Sequence, residues 1–341
     1  MNGKKLLPVA LILAGLAVGI PTERTLRSFR AATTTDASGT SWVRYVMVGF
    51  GGFRGVVSEV LWIRAADLQE EGRYFELIQL ADWITALDPR ADEAWVFNAW
   101  NLSYNIPAML PDPNARLSWV RAGLSLLADK AIPANPATPR LYRELGWLYQ
   151  NKIGSADDTA HKTYKLALAA EFADRDAVIG EAPGAKLDKT TVAEIETAFG
   201  PLDWRLAPSH AVYWAWRGLK CAQKKGFERE ALRRMVRQNL FTLVSEGKFT
   251  GDLDAGTFTT APDYDIVKGL IAFCEETVNE DPTEKRIYAL TLARLIGTLS
   301  RAGHQEECAR LYGRFSELLT SLHIAVPSYS DVVAGKGVQD L

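Results

Sequence analysis

The sequence predicts an all-α chain, a stack of helical hairpins, and three observations carry that expectation. The stretch Gly72 to Pro89, GRYFELIQLADWITALDP, opens on a glycine suited to end one helix and closes on an Asp-Pro suited to end the next. Trp95 follows where a further hairpin would begin with a large residue. Large and small apolar residues then recur at helical spacing over roughly residues 58 to 321. The composition agrees: at 48% hydrophobic and 23% charged the 341 residues are too apolar for disorder. An array whose hairpins pack only on their neighbours extends as one domain past the size at which a compact core stops growing. A formal charge of −2 gives no electrostatic case for nucleic acid or for a broadly basic membrane surface.

Residues 1–22 come first. Lys4 and Lys5 precede LLPVALILAGLAVGI, residues 6–20, an uncharged apolar run closed by Pro21, Thr22 and Glu23. That is a charged region followed by an apolar one, and it reads as a signal anchor. The run is slightly short of the roughly 17–25 residues that span a bilayer, so a cleaved signal peptide is the alternative and a buried cytosolic helix the third reading. Arg24, Arg27 and Arg30 put positive charge on the far side too, which weakens the orientation rule; the bulk of the chain is expected in the periplasm or another extracytoplasmic space. Residues 23–53 read as a linker, RAATTTDASGT at 30–40, leading into the Gly-rich apolar VMVGFGGFRGVV at 46–57. Gly49, Gly51, Gly52 and Gly55 miss the dinucleotide-loop spacing by one, so an apolar hinge is the better reading.

The hairpins follow. The first places Leu61, Ala65 and Leu68 on one helix and Ala81 and Leu87 on its partner, with Leu77 and Ile84 where alanine would be usual. The second opens at Asp92 with Trp95, Ala99 and Leu102; Ile106 to Asn114 then delays its partner, because three prolines argue against continuous helix there. The third carries Tyr142, Leu145, Gly146 and Tyr149, then Ala160, Tyr164 and Ala167. The fourth has Trp214 and Gly218, then Gly226, Phe227 and Ala231; the fifth has Leu292, Leu295 and Leu299, then Gly303, Cys308 and Tyr312, preceded by Asp281-Pro282. Residues 172–206 interrupt the array, with Thr191 and Glu194 as a capping box for a short helix that Gly200 and Pro201 end.

These spacings resemble the tetratricopeptide repeat (TPR). Tyr142, Leu145, Gly146 and Tyr149 match its W-x2-L-G-x2-Y with Tyr for Trp, and Ala160, Tyr164 and Ala167 match the A-x3-F-x2-A of its second helix. The resemblance implies an all-α, TPR-like helical-hairpin solenoid, to which the apolar run at 6–20 adds an N-terminal hydrophobic anchor helix. Repeats 1–3 lie at 54–171, an insertion at 172–206, repeats 4–5 with extra helices at 207–323, and a tail at 324–341.

Chemistry is sparse. His161, His210, His304 and His323 have no second ligand at metal spacing, so no metal or cofactor is expected. No G-x-S-x-G, H-E-x-x-H or Walker A motif occurs. Asp252 and Asp254 imitate a calcium loop but lack its remaining ligands and read as a turn. Cys221, Cys274 and Cys308 have no C-x-x-C spacing and read as small buried hydrophobes. Lys224, Lys225, Arg229, Arg233, Arg234 and Arg237 form a basic cluster whose default reading is a solvated helix face, since Glu228 and Glu230 interrupt it; Glu275-Glu276 is likewise assigned to solvation. Asn101-Leu102-Ser103 spells a glycosylation acceptor within a helix.

In the TPR family, partner proteins or peptides bind the concave face lined by the first helix of each repeat. The matching offsets here are Trp62, Trp100, Tyr104, Arg140, Arg143 and Trp147, residue types that dominate binding hot spots. The resemblance therefore implies a non-catalytic scaffold that binds a partner protein or peptide; the apolar N-terminal segment adds contact with a membrane, and the charge and the absence of motifs give no nucleic acid and no small-molecule substrate. A structural subunit of a larger membrane assembly is the alternative. An exported enzyme with a site around Asp203, Arg205 and His210 is the lesser one.

Overall fold

A computed structural model describes residues 61, 63–65, 67–68, 70–180 and 186–336. The expected anchor, the linker and hinge, Trp62, and the tail beyond Lys336 lie outside the described residues. The described residues are all-α, 72% helical with a few two-residue strands. Among the described residues no helix is long and apolar enough to cross a membrane. They fall into two compact units, the first running to Pro111 and resuming over Ser118–Pro136, the second made of Asp112–Leu117 and Ala137 onward.

In the first unit, α1 (Tyr74–Leu87) follows a helical stretch that Gly72 ends. Gly72 has φ +69°, and the Arg73 amide reaches back to the Leu68 carbonyl, the left-handed helix stop that glycine adopts without Cβ strain. Ala65, Leu68, Leu77, Leu80, Ile84 and Ala94 then close one core. Pro89, past the end of α1, presents its carbonyl to the Trp95 indole N–H at 2.9 Å and to Asn135 Nδ2 at 2.7 Å. The predicted turn at Asp-Pro is therefore also a tie point.

The second rod departs from expectation. α2 (Asp92–Trp100) does not stop before Pro107 but widens into a π-helical turn at Asn101–Asn105 and continues as helix over Ile106–Met109. α3 (Pro113–Ser125) repeats the device, with π-helical Leu126–Ala131 leading to Ile132–Ala134. In an ordinary helix each proline ring would collide with the carbonyl four residues back. The wider turn, closed by the Ile106 amide on the Asn101 carbonyl and the Ile132 amide on that of Leu127, gives the ring clearance. Continuous helix across the first proline is the correction; the break comes at Leu110–Asp112.

In the second unit, α4 (Pro139–Trp147) ends in a third π-helical turn, Leu148–Ile153, and α5 (His161–Glu171) follows. Tyr142, Leu145 and Gly146 are buried as expected; on α5, Ala160, Tyr164, Leu168 and Ala169 are buried, whereas Ala167 is only half-buried. A short turn, α6 (Arg175–Val178), leads to β1 (Ile179–Gly180), which pairs in parallel with β2 (Leu187–Asp188). α7 (Lys189–Phe199) is the short helix expected in the insertion, ended by Gly200 at φ +89°. Its cap is not the Thr191–Glu194 box. Asp188 lies three residues earlier and its carboxylate accepts the Thr191 amide at 2.7 Å, while Glu194 pairs with Lys220 and the Trp216 indole.

α8 (Ala207–Cys221) and α9 (Phe227–Glu246) form the fourth hairpin and pack with α4. Two glycines permit the approach: a Cβ at Gly146 would lie 2.5 Å from Met235 Sδ, and one at Gly218 2.9 Å from Leu232 Cδ2. β3 (Lys248–Phe249) and β4 (Thr260–Ala261) pair antiparallel beyond it. Their loop holds the expected turn, in which Asp252 Oδ1 accepts the amides of Asp254 and Ala255. α10 (Ile266–Glu280), a 3-10 turn (Pro282–Glu284), α11 (Lys285–Arg301), α12 (Gln305–Ser321) and α13 (Tyr329–Val333) complete the unit.

The basic cluster divides: Lys224, Lys225 and Arg234 are exposed as expected, whereas three of its arginines are not a solvated face. Arg229 and Arg233 both engage Glu280, and Arg237 engages Glu284 at 3.1 Å with both groups buried. Carboxylates four residues apart meet arginines spaced by four on α9, so the stripe becomes a seam inside the unit. Glu275 is likewise no mere solvated acid: it takes the Tyr288 hydroxyl at 3.1 Å and the Arg314 guanidinium at 2.5 Å.

Candidate functional site

Trp100 and Tyr104 belong to the first unit, Arg140, Arg143 and Trp147 to the second. Trp100 is the last residue of α2 before the π-helical turn, and Trp147 the last of α4 before its own. Each follows a small buried residue, Ala99 and Gly146, that seats the helix on its neighbour. Each indole nevertheless faces solvent, 42% exposed at Trp100 and 39% at Trp147. Tyr104, half-buried inside the π-helical turn, stacks under Trp100 with centroids 4.2 Å apart and planes at 24°, which fixes that indole as a rigid platform.

Arg143 is engaged within its own unit. Its Nε donates to Glu228 at 2.7 Å, its Nη2 pairs with Glu144 at 2.9 Å, and its guanidinium lies 5.5 Å from the centre of the Phe227 ring. Arg140 is half-buried. Sequence reasoning cast Phe227 as the residue opening a helix, yet it is 71% exposed beneath that cation. Phe75, exposed and set edge-on to Trp119 at 5.7 Å in the first unit, was missed as well. The available signal was the same in both: an aromatic in the first turn of a helix, off the apolar stripe.

The residues of the enzyme alternative are packing and bracing groups. Asp203 accepts Arg205 Nε at 2.9 Å and Nη2 at 2.7 Å, and also the Phe249 amide at 2.9 Å. Burial would raise its carboxyl, but Arg205 and the two amides outweigh burial and hold it below the ordinary value. The Arg205 guanidinium in turn covers the Phe249 ring at 4.9 Å. His210 is fully buried, with Nε2 2.7 Å from the Trp204 carbonyl and its ring stacked on Tyr149 at 4.7 Å. Burial pulls its pKa down to about 4, although the carbonyl opposes the shift. A neutral imidazole donating to a main-chain carbonyl is a strut for the end of the insertion.

One strongly perturbed cluster was invisible in the sequence. Asp158 accepts Lys152 Nζ at 2.6 Å, Arg116 Nη1 at 3.0 Å, the Tyr164 hydroxyl at 3.1 Å and the Ala160 amide at 2.9 Å. Burial alone would raise the carboxyl; the Lys152 ammonium, the Ala160 amide and the tyrosine hold it at about 2. Burial and the Asp158 charge push the Tyr164 phenol upward. Every oxygen of this hub is committed, so it holds the loop before α5 and leaves nothing for a substrate. Among the described residues no group of three or more His, Cys, Asp or Glu could hold a metal ion. Cys221, Cys274 and Cys308 are free thiols, the last two buried. Asn101 and Ser103 are buried, so the acceptor triplet is closed in the folded chain.

Compared with known proteins, the chain matches no protein-family model and no curated sequence at a significant level.

Proposed function

We propose that this chain is a non-catalytic scaffold that binds a partner protein or peptide through the helix faces bearing Trp100 and Trp147. One observation carries the reading: two hairpins present a solvent-facing tryptophan at the same offset, after a small buried residue and at the entry to a π-helical turn. Packing does not require an indole to stay exposed, and tryptophan is the side chain most enriched where interfaces concentrate their energy, at about 2 kcal/mol or more per residue. π-helical turns also cluster at functional positions. We further propose that the hairpins form a TPR-like solenoid and that residues 1–22 hold it at a membrane with its bulk outside the cytoplasm. The apolar run at 6–20 and the motif spacing support this. A photo-crosslinking amino acid placed at position 100 or 147 in cells tests the reading. Discrete adducts with the same protein from both positions, absent when the probe replaces exposed Lys162, are expected; adducts indistinguishable from those at position 162 would overturn it.

A further inference from the structure

On α9, Arg234 stands apart from the arginines paired to Glu280 and Glu284, and α11 brings Arg294 and Arg301 to the same side. Between α9 and α11 the second unit has a groove of about 680 Å³ that continues into a hollow of about 250 Å³; Phe241, Leu290 and Arg294 line both. Arg234 and Arg237 stand in the smaller hollow and Arg301 in the larger one, and among the described residues no aspartate or glutamate lines either. Arg237 is neutralised by buried Glu284. Arg234, Arg294 and Arg301 are exposed and have no carboxylate within ion-pair distance among the described residues. Arg294 lies 4.3 Å from the centre of the Phe241 ring, which pins its guanidinium over the groove, and Leu290 beside it is 37% exposed.

In a chain of formal charge −2, three arginines without a carboxylate partner among the described residues form a local positive field around an apolar centre. We propose that this groove docks an acidic, amphipathic segment of a partner protein, its carboxylates on Arg294 and Arg301 and an apolar side chain on Phe241 and Leu290. The dimensions favour a polypeptide. Along α11 the lining runs from Ile287 to Arg301, about 21 Å at helical rise, longer than a single nucleotide or lipid headgroup needs. Arg294 and Arg301 are two turns apart, about 10 Å, so acidic residues seven apart on a docked helix would match them. A bilayer would meet cations on a flat face, whereas these line a groove with an apolar floor.

The proposal rests on the polypeptide-binding reading but has its own test. The full chain in mild detergent is titrated into a fluorescent helical peptide of about 14 residues, with two glutamates seven apart flanking leucine and phenylalanine. Saturable binding is expected, weakened by added salt and lost when lysine replaces both glutamates. Arg294→Glu with Arg301→Glu should weaken it by ~10-fold or more, whereas Arg286→Glu, exposed on the same helix and outside the lining, should change it less than about twofold. If the double reversal unfolds, Arg294→Gln with Arg301→Gln carries the same expectation. No saturable binding, or equal binding by wild type and the double variant, overturns the proposal. So does binding to phosphatidylglycerol vesicles that depends on both arginines while the peptide fails to bind. Crosslinks from positions 100 and 147 together with an inert groove would sink the groove alone; arginine-dependent peptide binding without crosslinks would uphold it alone.

Discussion

Replacing Asp158 by asparagine keeps the side-chain shape and removes one charge from the hub, so the cost can be worked out in two ways. The carboxyl is held at about 2 against an ordinary 3.8, which corresponds to roughly 2 kcal/mol favouring the ionised form in the fold. The other route counts the broken pair: Lys152, with a side chain only 7% exposed, loses the carboxylate 2.6 Å from its ammonium, a loss of about 3–5 kcal/mol. Asp158 itself is 14% exposed, so solvent screens the pair little. About 3 kcal/mol is the expected loss. With a urea slope of about 2 kcal/mol/M, the unfolding midpoint should fall by about 1.5 M at neutral pH. Since the chain has two compact units, the signal to follow is hydrogen exchange in α5 rather than total ellipticity. Adding Lys152→Met should recover part of the loss, because the buried ammonium leaves as well. The sign with pH is fixed by the depressed pKa: the contribution is complete above 3.8 and is lost as pH falls through about 2. Midpoints for wild type and Asp158→Asn within about 0.2 M of each other would refute the hub.

Two further outcomes are expected. Gly146→Leu should lower the melting temperature by the equivalent of about 1–3 kcal/mol or more, since even a Cβ would meet Met235 Sδ at 2.5 Å, whereas Gly313→Ala, with nothing within 4 Å, should leave it equal or slightly higher. Equal melting temperatures for wild type and Gly146→Leu would remove the close contact from the account. Because burial lowers His210 from 6.5 to about 4, the unfolded chain binds the extra proton between those values; stability should fall there by up to about 1.4 kcal/mol per pH unit, and His210→Gln should flatten that slope in acid urea titrations. A slope unchanged by the substitution would contradict a buried neutral imidazole.

The helices were legible where one residue type has one backbone consequence. Gly72 and Gly303 stop helices in the left-handed conformation, Asp-Pro ends α1, and alternating small and large residues mark the crossing of α4 with α8 and α9. The π-helical turns were not legible. Burial through the second rod runs Trp95, Asn98, Ala99, Leu102 and Ile106, which is ordinary helical spacing, so periodicity carries no sign of the widened turn. Only the prolines hinted at it, and the sequence reading took Pro107 as a break. In the insertion, Asp188 and Thr191 both suit an N-cap, and pairing of β1 with β2 selects Asp188. The Asp158 hub escaped because its partner Arg116 is 42 residues away, and Asp157-Asp158 reads locally as a solvated acidic pair.

The arginines of α9 show why the site was harder to read than the fold. Arg233 and Arg234 are adjacent in sequence and about 100° apart around the helix. Arg233 is buried against Glu280, 47 residues further on, while Arg234 faces the hollow with no carboxylate in its lining. Nothing local separates a structural arginine from one left for a partner. The distinction is made by where acids on other elements fall, and Glu280 and Glu284 are spaced to pair with Arg229, Arg233 and Arg237 but not with Arg234. Unpaired cations therefore become informative only after the paired ones have been accounted for. Within the lining of the groove and hollow, that accounting leaves Arg234, Arg294 and Arg301, none of which the TPR resemblance nominated. It ties the groove to the charge pattern of the folded unit, so the groove does not depend on how closely the hairpins follow the repeat.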